Sequence, residues 1–355
     1  MSRIDEPIVI NQKTARNRVL MPPLVITEWA DLEGFETQNR ALHYGDRARG
    51  GTGTIVIEAT AISKEGKLSA TELGLWDDGH IPQFEGIAKA CHDEKSLVLV
   101  QLVHAGRQAV GNLVYSASDM PMANKQCKAM SYEHIQQVKD DFVSASVRAY
   151  KAGLDGVEIH GAHGYLLNQF ASSHSNKRMD VYGQDLQGRM RLSLEIVHRV
   201  RQATDDQFII GYRFGVNDKT FEEDIIFAKA LELAGVDLLN VSAGINVEDL
   251  QVPEGFKYSN ITFMGVKIKE HVLIPVACVY GITRPDQAAD LLADDRIDLV
   301  AVGRGLLADP EWTNKAIEGE PVNECYHCKS GCRYGKGGLD NKEAYKCPWR
   351  IKGAV

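Results

Sequence analysis

Eight short runs rich in β-branched and apolar residues recur along the chain, each followed by a stretch with helical periodicity. The strand candidates are Arg18–Met21, Thr54–Ala61, Leu97–His104, Gly156–Gly161, Phe208–Phe214, Asp237–Ala243, Ile274–Ile282 and Asp298–Gly303. Between the third and fourth, residues Ser131–Ala152 place Ile135, Val138, Phe142, Ala145 and Ala149 at steps of three and four, the spacing of a buried helical face. Another helical stretch, Phe221–Ala234, carries Glu222, Glu223 and Asp224 in its first turn, where the helix dipole favours acids. Gly235 supplies the glycine stop expected at its end. Eight strand–helix units are the count of an α/β fold of the (β/α)8 TIM-barrel type. A doubly wound open sheet is the alternative, but the chain has no early Gly-x-Gly-x-x-Gly turn to open one. The expected organisation is a barrel over residues 1–320 and a short cysteine-rich appendage over 321–355.

The net charge of −8 and the lack of a Lys/Arg stripe give no footprint for nucleic acid. The opening Met-Ser-Arg-Ile-Asp-Glu-Pro lacks the apolar run of a signal peptide. No stretch has the length of a membrane span, so a cytoplasmic protein with no membrane partner is expected. Cys91, Cys127 and Cys278 are scattered and read as small buried hydrophobes. Cys325, Cys328, Cys332 and Cys347 instead crowd one segment, a pattern that in a reducing compartment suggests metal more than disulfides.

The densest chemistry lies in Gly156-Val-Glu-Ile-His-Gly-Ala-His-Gly-Tyr165. Glycines end the fourth strand and leave His160, His163 and Tyr165 at its carboxyl end, where barrels keep their active sites. Two imidazoles can hold one oxygen between them, and a nearby phenol can deliver a proton. A histidine-rich turn with satisfied hydrogen bonds, or half a metal site, is the structural alternative. Other strand ends are polar too: Glu58 and Thr60, Gln101 and His104, Arg213, and Gly303–Arg304. One such group is ordinarily a satisfied structural residue, but a whole rim of them suggests a ligand. The long connections Gly106–Met130 and Gly161–Asp185 leave the same rim. Gly281 after the seventh strand and Gly303 after the eighth open backbone N–H groups where barrels bind phosphate.

These segments resemble the Old Yellow Enzyme family of FMN-dependent oxidoreductases over roughly residues 5–320. The likeness rests on Asn17-Arg18-Val-Leu-Met-Pro-Pro, Gln101-Leu-Val-His104-Ala-Gly-Arg107 and the Gly156–Phe170 segment. Ser175-Asn-Lys-Arg178, Tyr182-Gly, Gly188-Arg189-Met-Arg191 and Gly303-Arg-Gly-Leu-Leu-Ala-Asp-Pro310 add to it. The resemblance implies that Pro22, Pro23, Leu24 and Val25 pack on the flavin with Ala59, and that Gln101 bonds its pyrimidine edge. It also implies that Arg213 faces the N1/O2 region and that Gly281, Gly303 and Arg304 hold the FMN phosphate. His160 and His163 would bind the substrate oxygen and Tyr165 would donate the proton. Two positions depart from the family pattern: Val25 stands where Cys or Thr often tunes the flavin, and Thr27 where a substrate-contacting Tyr is common.

The implied activity is reduction of the activated C=C bond of an enone-type small molecule by NAD(P)H, through FMN and in ping-pong order. Alternatives within flavin chemistry are amine or ether demethylation, or reduction of a dienoyl thioester. Outside it stand a phosphate-binding isomerase or aldolase and a flavin/iron–sulfur electron-transfer module. The assembly state, monomer or homo-oligomer, is left open. The cysteine segment is similar to that of 2,4-dienoyl-CoA reductase, which implies a [4Fe–4S] cluster on Cys325, Cys328, Cys332 and Cys347. Zinc, with His327 as a substitute ligand, and a remnant with free thiols are the other readings.

Overall fold

The computed structural model describes residues 3–26, 28–248 and 250–328, together with 332, 334 and 347, and residue 294 by its backbone alone. Eight parallel strands close into a barrel. They are β1 (Val19–Met21), β2 (Thr54–Ala61), β3 (Leu97–Val103), β4 (Gly156–Gly161), β5 (Ile209–Val216), β6 (Leu238–Ala243), β7 (Val276–Val279) and β8 (Leu299–Ala301). Closure is made by β8 against β1, with Val300 opposite Val19 and Ala301 opposite Leu20. The main helices are α1 (Arg40–Arg49), α2 (Ile81–His92), α3 (Tyr132–Lys151), α4 (Leu186–Ala203), α5 (Glu222–Leu233), α6 (Asn260–Lys269), α7 (Pro285–Leu292) and α8 (Trp312–Glu318), one after each strand.

All eight expected strands are present, and where limits differ the cause is local. The seventh shortens to Val276–Val279 because Pro275 has no N–H to pair and Tyr280 and Gly281 turn left-handed, at φ 87° and 80°. The eighth stops at Ala301 because Gly303 caps a short helix, Arg304–Ala308. The two long connections hold short regular pieces that the sequence reading left out. They are a pair of strands, Leu113–Ser116 with Gln126–Ala129, and a helix, Leu166–Ala171. Pieces this short carry too little periodicity to be seen beforehand.

Period-two alternation builds the core. One parity of each strand faces the helices: Ile55 and Ile57, Val98 and Val100, Val157 and Ile159, Ile210 and Tyr212 belong to one large apolar cluster. The other parity faces the barrel axis. Near the strands' amino ends it is apolar, with Leu20, Val56, Leu99, Ile209, Leu238, Ala277 and Leu299 packed into a plug that Ile10 joins from the N-terminal hairpin. Two residues further along, the inward positions become Gln101, Glu158 and Asn240, all buried. The barrel is thus sealed at one end and polar toward the other.

Cys91, Cys127 and Cys278 are buried, as expected. The tail returns to the barrel through Tyr334. Its ring packs beside Trp29 and His43, and its hydroxyl lies 2.8 Å from His43 Nδ1 and 3.1 Å from Arg47 Nη2. Among the described residues no helix is long and apolar enough to cross a membrane.

Candidate active site

Gly161 ends β4 against the Tyr212 hydroxyl; a Cβ there would come within 2.1 Å of it, so only glycine fits. The chain then turns through His163 and Gly164, at φ 59° and 70°. The His163 N–H donates to Ala243 O on β6 (3.0 Å), and Gln108 Nε2 donates to the carbonyls of His163 and Gly164, both at 2.9 Å. Gln169 Nε2 also donates to Gly164 O (2.6 Å). The turn is therefore braced from β6, from the segment after β3 and from the helix that follows.

This bracing gathers three rings. The His160 and His163 centroids are 5.1 Å apart, His160 and Tyr165 are 4.9 Å apart, and His163 and Tyr165 are 6.3 Å apart, all near perpendicular. The Ala162 N–H donates to His160 Nδ1 (3.2 Å), so the proton of the neutral ring sits on Nε2. His163 Nε2 meets Ser242 Oγ at 2.8 Å. Burial, then the neighbouring His163 ring and the Arg213 cation, hold His160 well below the usual imidazole range. Burial of its ring and the Arg213 cation push His163 down to about 3. That residue is exposed at the barrel mouth, and the open edge limits the depth of the shift without changing its direction. Both rings are neutral donors near pH 7. Burial and the charge of Glu72 raise the Tyr165 phenol, which keeps its proton.

Below the rings lies a buried polar layer. Glu158 accepts from Gln101 Nε2 (2.7 Å) and from Asn240 Nδ2 (2.8 Å). Arg213 Nε and Nη1 and Asn240 Oδ1 are buried and lack a protein partner. Orphaned buried groups of this kind cost roughly 1–3 kcal/mol each unless a ligand satisfies them. Two donors and one acceptor suit a ring with carbonyl, ring-nitrogen and N–H edges, as a flavin pyrimidine has. Pro22 and Ala59 are buried, Pro23 and Leu24 half-buried, and Val25 is 39% exposed. Beyond β7 and β8 a cavity of about 200 Å³ is lined by Pro22, Leu24, Gly281, Thr283, Gly303 and Arg304. It joins a cation to a glycine-opened backbone, which suits a phosphate. The residues present thus fit the ring edge and the phosphate of FMN.

Some expected rim residues are elsewhere. Glu58 is not at the rim: it forms a fully buried ion pair with Arg40 of α1 (2.6 Å) and accepts the Ile26 N–H (2.9 Å). A register irregularity in β2 between Ile57 and Thr60 accompanies this placement, and Thr60 Oγ1 bonds back to Glu58 O. His104 is buried, with Nδ1 accepting from the Gly106 N–H. Thr27 lies outside the described residues. Sequence reading missed Glu158, Asn240 and Ser242, although each sits an even number of residues from an inward-facing neighbour, His160 or Leu238. Of the tail cysteines, Cys332 is exposed and the other three are half-buried. Among the described residues no three His, Cys, Asp or Glu side chains gather as metal ligands.

The sequence profile of the NADH:flavin oxidoreductase / NADH oxidase family matches residues 3–323. The chain belongs to this family. Among its members, an NADPH dehydrogenase of Listeria innocua is 35% identical, over 90% of this chain and 95% of that protein. An NADH oxidase of Thermoanaerobacter brockii is 38% identical over 92% of this chain, which spans about half (53%) of that longer protein. The solved Old Yellow Enzyme homologue of Zymomonas mobilis superposes with a TM-score of 0.78 at 26% identity, covering 90% of this chain and 94% of that one. The family is one of FMN-dependent NAD(P)H oxidoreductases, and the barrel and its Old Yellow Enzyme resemblance agree with membership.

Proposed function

We propose that this protein is an FMN-dependent NAD(P)H oxidoreductase that reduces the activated C=C bond of α,β-unsaturated carbonyl compounds in ping-pong order. The observation that carries the reading is the ring trio of His160, His163 and Tyr165 set above the orphaned Arg213 and Asn240 atoms. Gln101, Asn240 and Arg213 would hold the flavin ring, with Pro22, Pro23, Leu24, Val25 and Ala59 packed on it. Gly281, Gly303 and Arg304 would hold its phosphate. FMN, when bound, would supply the hydride chemistry that links NAD(P)H to the substrate β-carbon. His160 donates its Nε2–H to the substrate carbonyl oxygen. With the Ser242 hydroxyl donating to His163 Nε2, the proton of the second imidazole would sit on Nδ1 as a further donor. Both stay uncharged, so they stabilise the enolate as it develops without binding anions at large. Tyr165, still protonated, gives its phenolic proton to the α-carbon.

The experiment is direct. The purified protein should show flavin bands in the near-ultraviolet and blue, release FMN on denaturation, and consume NADH or NADPH when 2-cyclohexenone is added. A colourless protein that takes up no added FMN would overturn the proposal. Flavin reduction without enone turnover would restrict it to NAD(P)H oxidation.

A further inference from the structure

Glu158 is 1% exposed at the centre of the barrel, between the apolar plug and the three rings. Its two carboxylate oxygens are used separately: Oε1 takes Gln101 Nε2 from β3, and Oε2 takes Asn240 Nδ2 from β6. A carboxylate only accepts, so each amide must turn its NH2 toward Glu158 and its carbonyl oxygen away. For Asn240 the oxygen turned away is buried and has no protein partner. The same carboxylate lies within electrostatic reach of Arg213, whose Nε and Nη1 are also unpartnered. Burial raises the Glu158 carboxyl, while Arg213, Asn240 and Gln101 each favour its charged form. As a carboxylate it sets the polarity of two side chains and counters a third.

We propose that Glu158 is a positioning residue for the cofactor, and that Asn240 is a further flavin contact. Through its two acceptor bonds Glu158 fixes Gln101 and Asn240 with their carbonyl oxygens toward the ring, and its charge offsets that of Arg213. In this role Glu158 acts through these three neighbours, not on substrate or flavin directly. The inference rests on the FMN reading above.

The two roles separate by substitution. Glu158→Gln puts an NH2 where an acceptor stood, so either Gln101 or Asn240 must flip and turn its own NH2 to the cofactor. FMN binding to the apoprotein, followed by quenching of flavin fluorescence, should weaken about tenfold, the worth of one good hydrogen bond. The same variant leaves Arg213 without its counter-charge, so the bound flavin becomes easier to reduce. Its reduced-to-oxidised ratio at fixed poise should rise about tenfold, roughly 30 mV for a two-electron couple. Glu158→Asp keeps the charge but withdraws it from both amides. FMN binding should weaken there with the ratio close to wild type.

Rescue is the decisive arm. In the E158Q/N240D pair the amide at 158 accepts from Gln101 and donates to the carboxylate at 240, which still shows an oxygen to the cofactor. Affinity should return to near wild type. If E158Q alone does not fold, N240D against the pair decides: N240D sets two carboxylates together and weakens binding, and adding E158Q restores it. Wild-type-like affinity and ratio in E158Q, or equal affinities for N240D and the pair, would overturn the proposal. A wild-type protein that binds no FMN would instead remove the functional reading and this inference with it.

Discussion

His160, His163 and Tyr165 share one turn but differ in what they should do. On the proposed function, His160→Ala or His163→Ala would remove a donor to the developing enolate. Enone reduction should fall by about a hundredfold or more, and binding of a phenol such as 4-hydroxybenzaldehyde should weaken with it. On the same reading, Tyr165→Phe would remove only the proton that reaches the α-carbon. Stopped-flow traces should show NAD(P)H-driven flavin reduction nearly intact and reoxidation by the enone slowed; equal slowing of both halves would make Tyr165 a structural residue. The depressed imidazoles add a pH test. Burial and Arg213 keep both rings neutral, so phenol affinity should stay flat through pH 6.5, where a free histidine titrates. An inflection there would show that a charged histidine binds the oxygen.

At the scale of elements, the strand-to-helix connections decide which side chains meet. Asp224 in the first turn of α5 accepts the N–H groups of Asn217 (2.8 Å) and Asp218 (2.7 Å), and so shapes the β5–α5 connection. Asn217 Oδ1 in turn accepts from the Ile245 N–H and from Asn168 Nδ2, next to the His160–Tyr165 turn. Burial raises the Asp224 carboxyl to about 7, overcoming the backbone N–H groups that favour its charge. An acid whose pKa rises on folding is held protonated by the native state, so its contribution is lost as pH climbs from about 4 to about 7. Asp224→Asn keeps an acceptor and removes the titration. Its stability in urea should match wild type near pH 4 and exceed it increasingly up to pH 7, by at most roughly 4 kcal/mol. A pH-independent difference would show that Asp224 does not titrate in this range.

For the whole molecule, the tail is tied to the barrel. Tyr334 is 5% exposed, and its hydroxyl serves His43 and Arg47, both fully buried on α1. The same helix supplies Arg40 to Glu58, and Glu58 holds the Ile26 N–H just beyond Leu24 and Val25. Tyr334→Phe keeps the ring against Trp29 and strips one partner from each of two buried polar groups. It should cost about 1–3 kcal/mol in urea unfolding. A wild-type midpoint would mean that water replaces the hydroxyl and that the tail adds nothing to the barrel's stability.

The barrel was legible in the sequence because its signals are local. Strand parity and helical spacing, as in Ile135, Val138, Phe142, Ala145 and Ala149, follow from backbone geometry over a few residues. The His160–Tyr165 turn was legible for the same reason, since its glycines and rings are neighbours in the chain. Glu58 and Glu158 show where local reading ends. Each is a glutamate inside a hydrophobic strand, and nothing nearby separates them. In the fold, Glu58 pairs with Arg40 of α1, while Glu158 holds Gln101 and Asn240, 57 and 82 residues away. A buried charge takes its role from the partners that meet its desolvation cost, and those partners come together only when the barrel closes. Sequence by itself determined the eight barrel strands and the turn that carries His160, His163 and Tyr165. Closure alone decided which buried carboxylate braces a helix and which one faces the site.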